Sequence, residues 1–465
     1  MSADPISQLK AALGDAKVLT ATDKIQDRRH DYWVVSHIRD RLGAQGPAPA
    51  CVVRPATVAD VQTVVRIATA TGAPLIPFGL GSGVVGGVIT SPDAILLDMG
   101  AMNATRVIDP ENLLASFDAG KNGLEAEQEV AALGLTTGHW PQSIAVSSVG
   151  GWVATRASGQ FSTAYGNIED LIYSIEAVLP DGSLVTLGKA PRASAGPDLR
   201  HILMGSEGTL GVITGVTLSL RRGAEKQAVS AFAAPDMRTG FTFQRELVQR
   251  GWQPPVMRQY DVRESKRLHE AAKDCTVIMV HEGPAALVDV ERAAASELAA
   301  SMGLTALPDA IVTHWLGHRN HVAGWDEILS RNIVADTVEI SASWDKIAGI
   351  YDTATASVAQ MPGCRAASAH SSHVYRSGLN LYFTFAIQKD SPEALEAAYF
   401  EAWKRIMTAT ADGGGSMSHH HGIGRVRREY MTRELGPEGA ALLRTLKGAL
   451  DPKGVMNPGV LIPDA

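Results

Sequence analysis

Three successive histidines, His419, His420 and His421, lead into Gly422-Ile423-Gly424 and then Arg425, Arg427 and Arg428. Imidazole titrates near neutral pH and glycine lets backbone come close to a flat ligand, so the run points to proton transfer beside a bound molecule. An exposed polar loop would have the same composition. A zinc centre is disfavoured, because adjacent side chains do not readily converge on one ion and no His-Glu-x-x-His or spaced Cys/His set accompanies them. Tyr382, in the strand-like alternation Leu379 to Ala386, is either a core aromatic or a second proton-handling group. Arg258, in Val-Met-Arg-Gln-Tyr-Asp, and Arg319, in Trp-Leu-Gly-His-Arg-Asn, offer planar forks for carboxylate or phosphate oxygens, unless they are solvated surface groups.

Glycine supplies the second signal. The chain has 45 glycines in 465 residues, above the usual share of about 7%, and they cluster. Gly81 to Gly86 matches G-x-G-x-x-G, but the loop runs through Thr90, Ser91 and Pro92 into the apolar stretch Ala94 to Met99 instead of opening a helix, so a Rossmann fold does not follow. No Lys-Ser/Thr pair closes it as a Walker loop. Five glycines within Gly79 to Gly87, with Ser82 among them, can instead aim backbone N–H groups at a pyrophosphate. A tight strand-to-strand connection would need the same glycines. Pro141 to Gly159 and Gly205 to Gly215 repeat the small, hydroxylic, glycine-rich composition that a long flat ligand pressed on backbone requires.

The elements that position these residues are readable in outline. Thr57 caps a helix with Asp60 in its first turn, Val61, Val64, Val65 and Ala68 on one face, and Gly72 as the stop. Extended runs are expected at 74–78, 94–99, 106–117 and 209–220, with a hairpin over Ser174 to Gly188 about Pro-Asp-Gly-Ser. Beyond about residue 222 longer helical patterns enter, at Ala285 to Met302 and Pro392 to Ala411.

The 42 basic and 49 acidic residues give a net charge of −7, which leaves no surplus for a nucleic-acid backbone. Cys51, Cys275 and Cys364 are few, odd in number and widely spaced, as in a reducing compartment. The first residues lack the apolar core of a signal peptide, and no apolar run approaches the roughly 18 residues of a membrane span. The sequence thus reads as a soluble, cytoplasmic protein.

Taken together, PFGLGSG, SVGGWVATRASG, YGNIEDL, GSEGTLGVIT and HHHGIG, in that order over about residues 50 to 460, resemble the FAD-linked oxidases of the vanillyl-alcohol oxidase and p-cresol methylhydroxylase superfamily. The motifs are most similar to those of the alkylglycerone-phosphate synthases, and more distantly to the glycolate oxidase and D-lactate dehydrogenase flavoproteins. The resemblance implies an α+β fold: a two-subdomain FAD-binding domain of the p-cresol methylhydroxylase type (1–222, core about 47–222) and an α+β substrate, or cap, domain (223–465), of which about 412–465 returns to the flavin.

By matching position, the resemblance puts Pro77, Phe78, Gly79, Leu80, Gly81, Ser82 and Gly83 on the pyrophosphate. It assigns the rest of the flavin to Gln142, Ser143, Ser147, Ser148, Gly151, Thr155, Arg156, Ala157, Ser158, Glu207, Gly208, Thr209, Gly211, Val212, Ile213 and Asn457. The 77–87 loop has no His or Cys, so it makes no covalent flavin link, although His139 leaves attachment elsewhere open; FAD is expected to be held non-covalently.

The synthases' proton-abstracting tyrosine and middle histidine map onto Tyr382 and His420, flanked by His419 and His421, and arginines important in the family map onto Arg258 and Arg319. The hydroxy-acid dehydrogenases carry a metal-binding Gly-Asp-Gly-Asn-Leu-His motif there; Asn380-Leu381-Tyr382 lacks the Gly-Asp-Gly and the last histidine, so no metal is expected. Where the synthases have an Arg-Asp pair, this chain has Trp325-Asp326, which removes a partner for an anionic substrate group.

The resemblance therefore implies an FAD-dependent oxidoreductase, a dehydrogenase or oxidase moving hydride from an alcohol or hydroxy acid, anionic ones included, to flavin N5 with His/Tyr acid–base help. A non-redox ether-forming synthase and the flavin subunit of a multi-subunit glycolate oxidase-like complex are the alternatives. A homodimer is compatible with each, and the electron acceptor is left open.

Overall fold

Thr57 and Asp60 do form a capping box, and the helix Val58–Thr71 ends at Gly72 in the left-handed conformation. Its apolar face covers a small sheet with the strand order Val18–Leu19, Cys51–Val53, Ile95–Asp98, Leu75–Phe78, the last three parallel. The glycine loop thus leaves one strand, Leu75–Phe78, and ends at its parallel neighbour, Ile95–Asp98, with no helix opening from it. The computed structural model describes residues 4–322 and 324–464.

The expected hairpin and extended runs build a second, antiparallel sheet in the order Thr105–Asp109, Leu114–Asp118, Val212–Ser219, Ile172–Val178, Leu184–Leu187, in which the run expected at 106–117 is divided by a turn into two paired strands. The helix Val149–Thr155 packs against it through Trp152 and Val153. Lys226–Ala234 begins a third and larger antiparallel sheet, ordered Thr305–Leu307, Lys226–Ala234, Cys275–Gly283, Val256–Tyr260, Cys364–Ser371, Gly378–Gln388, Ile333–Ser343. The helices Met237–Gln249, Ala285–Ser301, Ile347–Ala359 and Glu393–Asp412 bury their apolar stripes on it. The architecture is mixed α and β in two domains, as the motifs imply.

Both chain ends cross between these bodies. Trp33, Val34, Val35 and Ile38 are buried in the core of the third sheet; Trp33 Nε1 donates to Tyr399 Oη at 2.7 Å, and Arg39 forks onto Glu396. Val455 and Met456 are buried beside the first sheet, where Leu75 N donates to Val455 O and Asn457 N donates to Leu75 O. Cys51 and Cys275 are buried free thiols and Cys364 is partly covered. Among the described residues no helix is long and apolar enough to cross a membrane.

Candidate active site

Side chains in cross-strand register stand on one face of a sheet. In the third sheet, register aligns Thr276, Tyr260, His370, Tyr382 and Glu339 across five strands. Tyr382 Oη is hydrogen-bonded to His420 Nε2, so the residues singled out as a proton-handling pair are in contact. His420 Nδ1 lies 2.6 Å from His419 Nδ1, and His419 Nε2 lies 2.7 Å from Tyr375 Oη. Burial, reinforced by the neighbouring His421 and His419 rings, holds His420 well below the usual imidazole range; burial likewise takes His419 down to about 4. Burial pushes Tyr382 up. A neutral imidazole beside a protonated phenol is able to accept its proton.

The expectation that consecutive histidines would not converge needs correction. The Nδ1 atoms of His419 and His420 face each other, and His373, from the strand side, stacks on His419 at 4.9 Å between ring centroids. One ring nitrogen from each of the three lies within 4.8 Å of the others. A long-range neighbour and a bent loop achieve what sequence adjacency does not. His373 Nδ1 is already 2.6 Å from Ser162 Oγ.

Glu339 organises this loop and was not singled out in the sequence. Its Oε1 accepts from the backbone N–H groups of His419, His420 and His421 at 3.3, 3.2 and 2.9 Å, an anion seated in a nest of successive amides. Its Oε2 pairs with the buried Arg427 guanidinium and lies 2.9 Å from His421 Nδ1. Burial alone would raise its pKa, but Arg427 and His421 hold it well below the carboxylate range. Arg427 also donates to the carbonyls of Met417, Gly422 and Glu339 and lies over the Trp403 ring.

The two arginines are held by aromatic faces. Arg258 lies 5.4 Å from the Tyr260 ring centroid and 5.3 Å from that of Trp315, with Nε donating to Tyr260 Oη at 2.9 Å. Arg319 lies 4.8 Å from Trp140 and 5.1 Å from Phe161; burial lowers it to about 10. Its side chain donates to Asn320 Oδ1. Neither guanidinium forms an ion pair with a carboxylate among the described residues. Trp325 does not face this region: it donates to Tyr32 O and packs on that ring.

The residues expected around FAD meet in a seam. A Cβ on Gly79 would lie 2.5 Å from Ser148 Oγ, and one on Gly208 would lie 2.9 Å from the Pro77 ring. Glu207 accepts from Ile423 N and Gly424 N at 2.6 and 2.8 Å, and Arg425 N donates to Val85 O. Asn457 Nδ2 donates to Gly87 O and Glu207 O. The glycine loop, the Ser148 helix start, the Glu207 turn, the histidine loop and Asn457 are therefore one cluster. Asp31, also unanticipated, receives Gly87 N at 2.8 Å, while Gly83 and Gly86 fit tightly against Asp31 and Trp33. Burial raises Asp31 and Glu207 each to about 7.

This seam fits a dinucleotide such as FAD. The backbone N–H groups of residues 80–86 find no acceptor among the described residues, a row of donors suited to a pyrophosphate. The buried Asn457 Oδ1 and Ser206 Oγ are likewise unpartnered, as are both ring nitrogens of His139, which burial takes down to about 3.

Other expected flavin contacts spend their side chains on protein. Gln142 donates to His321 O, Ser147 bridges Ser143 O and Trp152 Nε1, Thr155 bonds back to Gly151 O, and Arg156 pairs with Glu169. Ser158 bonds Asn167, Thr209 bonds Ser206 O, and Gly211, Val212 and Ile213 enter a buried strand. Ala157 follows the helix end as its N–H returns to Trp152 O. What these positions offer a ligand is backbone and shape.

Comparison with known proteins is consistent along the chain. Residues 49–188 match the FAD binding domain family, and residues 224–461 match the FAD linked oxidases, C-terminal domain. An uncharacterized FAD-linked oxidoreductase of Escherichia coli K12 is 33% identical, covering 98% of each chain. An alkyldihydroxyacetonephosphate synthase of Dictyostelium discoideum is 29% identical over 99% of this chain and 82% of its own. A solved structure of an alkyldihydroxyacetonephosphate synthase superposes with a TM-score of 0.82 at 26% identity, over 98% of this chain and 86% of that one.

Proposed function

Because the chain belongs to the FAD-linked oxidases and is an FAD-dependent oxidoreductase, we propose that it dehydrogenates a small anionic alcohol or hydroxy acid. FAD supplies the two-electron acceptor for the C–H bond that is broken. Tyr382 and His420 take the hydroxyl proton: a neutral, buried His420 draws on the Tyr382 phenol, and the proton from substrate passes into that pair. Arg258 and Arg319, free of carboxylate partners, hold the anionic group and so orient the reacting carbon. Glu339 keeps the histidine loop in register with Tyr382. The observation that carries the reading is the Tyr382–His420 hydrogen bond, which joins strand Gly378–Gln388 to the histidine loop beside Arg258, a guanidinium without a carboxylate partner.

A second reading is an ether-forming exchange without net redox change. The likeness to alkyldihydroxyacetonephosphate synthases over nearly all of this chain favours it; the engagement of Trp325 with Tyr32, where an arginine of the synthases is expected, disfavours it. Anaerobic mixing of flavin-loaded protein with a panel of hydroxy acids and anionic alcohols decides between them. Lasting loss of the visible flavin absorbance supports dehydrogenation, and ether product without lasting reduction supports the exchange. His420→Ala and Tyr382→Phe are each expected to lower turnover by at least ~10²-fold with flavin retained; near-normal turnover in both removes the pair from the chemistry.

A further inference from the structure

Behind Tyr382 lies a buried carboxylate–imidazole pair that the proposed reaction does not use directly. The His370 ring stacks on Tyr382 with centroids 4.8 Å apart and planes at 12°, and on Tyr260 at 5.5 Å and 30° on its other side. The three rings follow the cross-strand row, so the sheet itself sets their spacing. His370 Nδ1 lies 2.6 Å from Glu264 Oε2. Glu264 is nearly buried and also accepts from Ser368 Oγ. Its N–H is anchored by Asp261 Oδ1, whose other oxygen takes Ala369 N.

A carboxylate at that depth is costly unless a proton-bearing partner offsets it. Burial would raise the Glu264 carboxyl, yet the contact with His370 brings it down to about 2. A carboxylate-anchored imidazole face-on to a phenol fixes the plane of that phenol, and its polarised N–H edge favours negative charge on the phenol oxygen. The outer ring of the stack, Tyr260, is hydrogen-bonded to Arg258. One stack thus joins the arginine proposed to bind the substrate anion to the phenol proposed to move the proton.

We propose that His370, its Nδ1 held by Glu264, is a positioning residue for Tyr382, fixing the phenol plane against His420 and easing transient negative charge on its oxygen. The inference rests on the oxidoreductase reading for its kinetic consequence but not for the stack itself.

Two variants of the flavin-loaded protein test it. The double variant H370F/E264Q keeps a flat ring on Tyr382 and leaves no buried carboxylate alone, so it removes charge with little loss of packing. His370→Arg puts a planar donor for Glu264 in its place. The double variant is expected to lose about tenfold in kcat, with KM within about twofold of the parent. His370→Arg is expected to recover most of that loss. Wild-type kcat in the double variant, or no recovery in His370→Arg, overturns the proposal.

A readout free of turnover separates this from the functional reading. The 13Cζ resonance of Tyr382, assigned by its loss in Tyr382→Phe, is expected to move in the double variant and return toward its original position in His370→Arg. An unmoved resonance overturns the proposal even if the enzyme is active. If the parent oxidises no alcohol or hydroxy acid while the resonance moves as stated, the functional reading fails and the positioning role stands.

Discussion

At the scale of single residues, the histidine run shows what sequence can and cannot disclose. Three imidazoles beside Gly-Ile-Gly announce proton chemistry because few side chains titrate near pH 7. Glu339 announces nothing, since an acidic residue in the alternation Thr-Val-Glu-Ile-Ser looks like a solvent-facing position on a strand. Its importance comes from the chain returning some eighty positions later to present three amides to it. Glu264 and His373 were hidden for the same reason. Removal of Glu339 leaves Arg427, 1% exposed, without its carboxylate. Glu339→Ala is therefore expected to lower unfolding free energy by about 3–5 kcal/mol, the usual cost of stranding a buried charge, measured by urea denaturation. A loss under about 1 kcal/mol would mean that the amide nest and the ring of Trp403 suffice for Arg427.

At the scale of elements, the glycine clusters were legible because their requirement is local. Helix 58–71, its capping box and its glycine stop also follow from short-range rules, as does the hairpin around 178–184; the turn at 109–114 instead divides what reads as one extended run. What sequence did not disclose is which glycines serve a ligand and which serve a neighbour: Gly86 is needed under Trp33, whereas Gly79 is needed over Ser148. Two alanine substitutions separate these causes. Gly72→Ala, at φ +77° with open space around it, is expected to cost about 1 kcal/mol of stability with flavin affinity unchanged. Gly79→Ala forces the loop off the Ser148 helix and is expected to weaken flavin binding by tenfold or more, read by titration of the apoprotein with FAD. Equal flavin affinity in the two variants would locate the cofactor away from this seam.

At the scale of the whole molecule, the two domains are bound by more than an interface. The stretch 33–42 has ordinary helical patterning, and nothing in it signals that its apolar face belongs to the third sheet, because partner choice is a tertiary matter that local periodicity does not encode. Trp33, Tyr399 and Asp336 form a buried hydrogen-bonded chain from that stretch into the cap, and Asp31 beside it supports the glycine loop. Deletion of residues 1–42 is thus expected to lower Tm by roughly 10 °C or more, from the apolar area uncovered, and to release flavin in the same step. Calorimetry of the shortened protein with flavin absorbance followed in parallel checks this; unchanged melting would show that the stretch merely rests on the cap.

The return of residues 455–457 to Leu75 sets an order of events during synthesis. The strand that launches the glycine loop gains its outer backbone partner, and the loop gains Asn457, only after residues 79 to 454 have been made. A domain that ordinarily folds as it emerges here waits for Val455 to Asn457 to leave the ribosome. Cofactor loading is accordingly expected to follow their synthesis, and a nascent chain stalled before Val455 has no complete seat to offer.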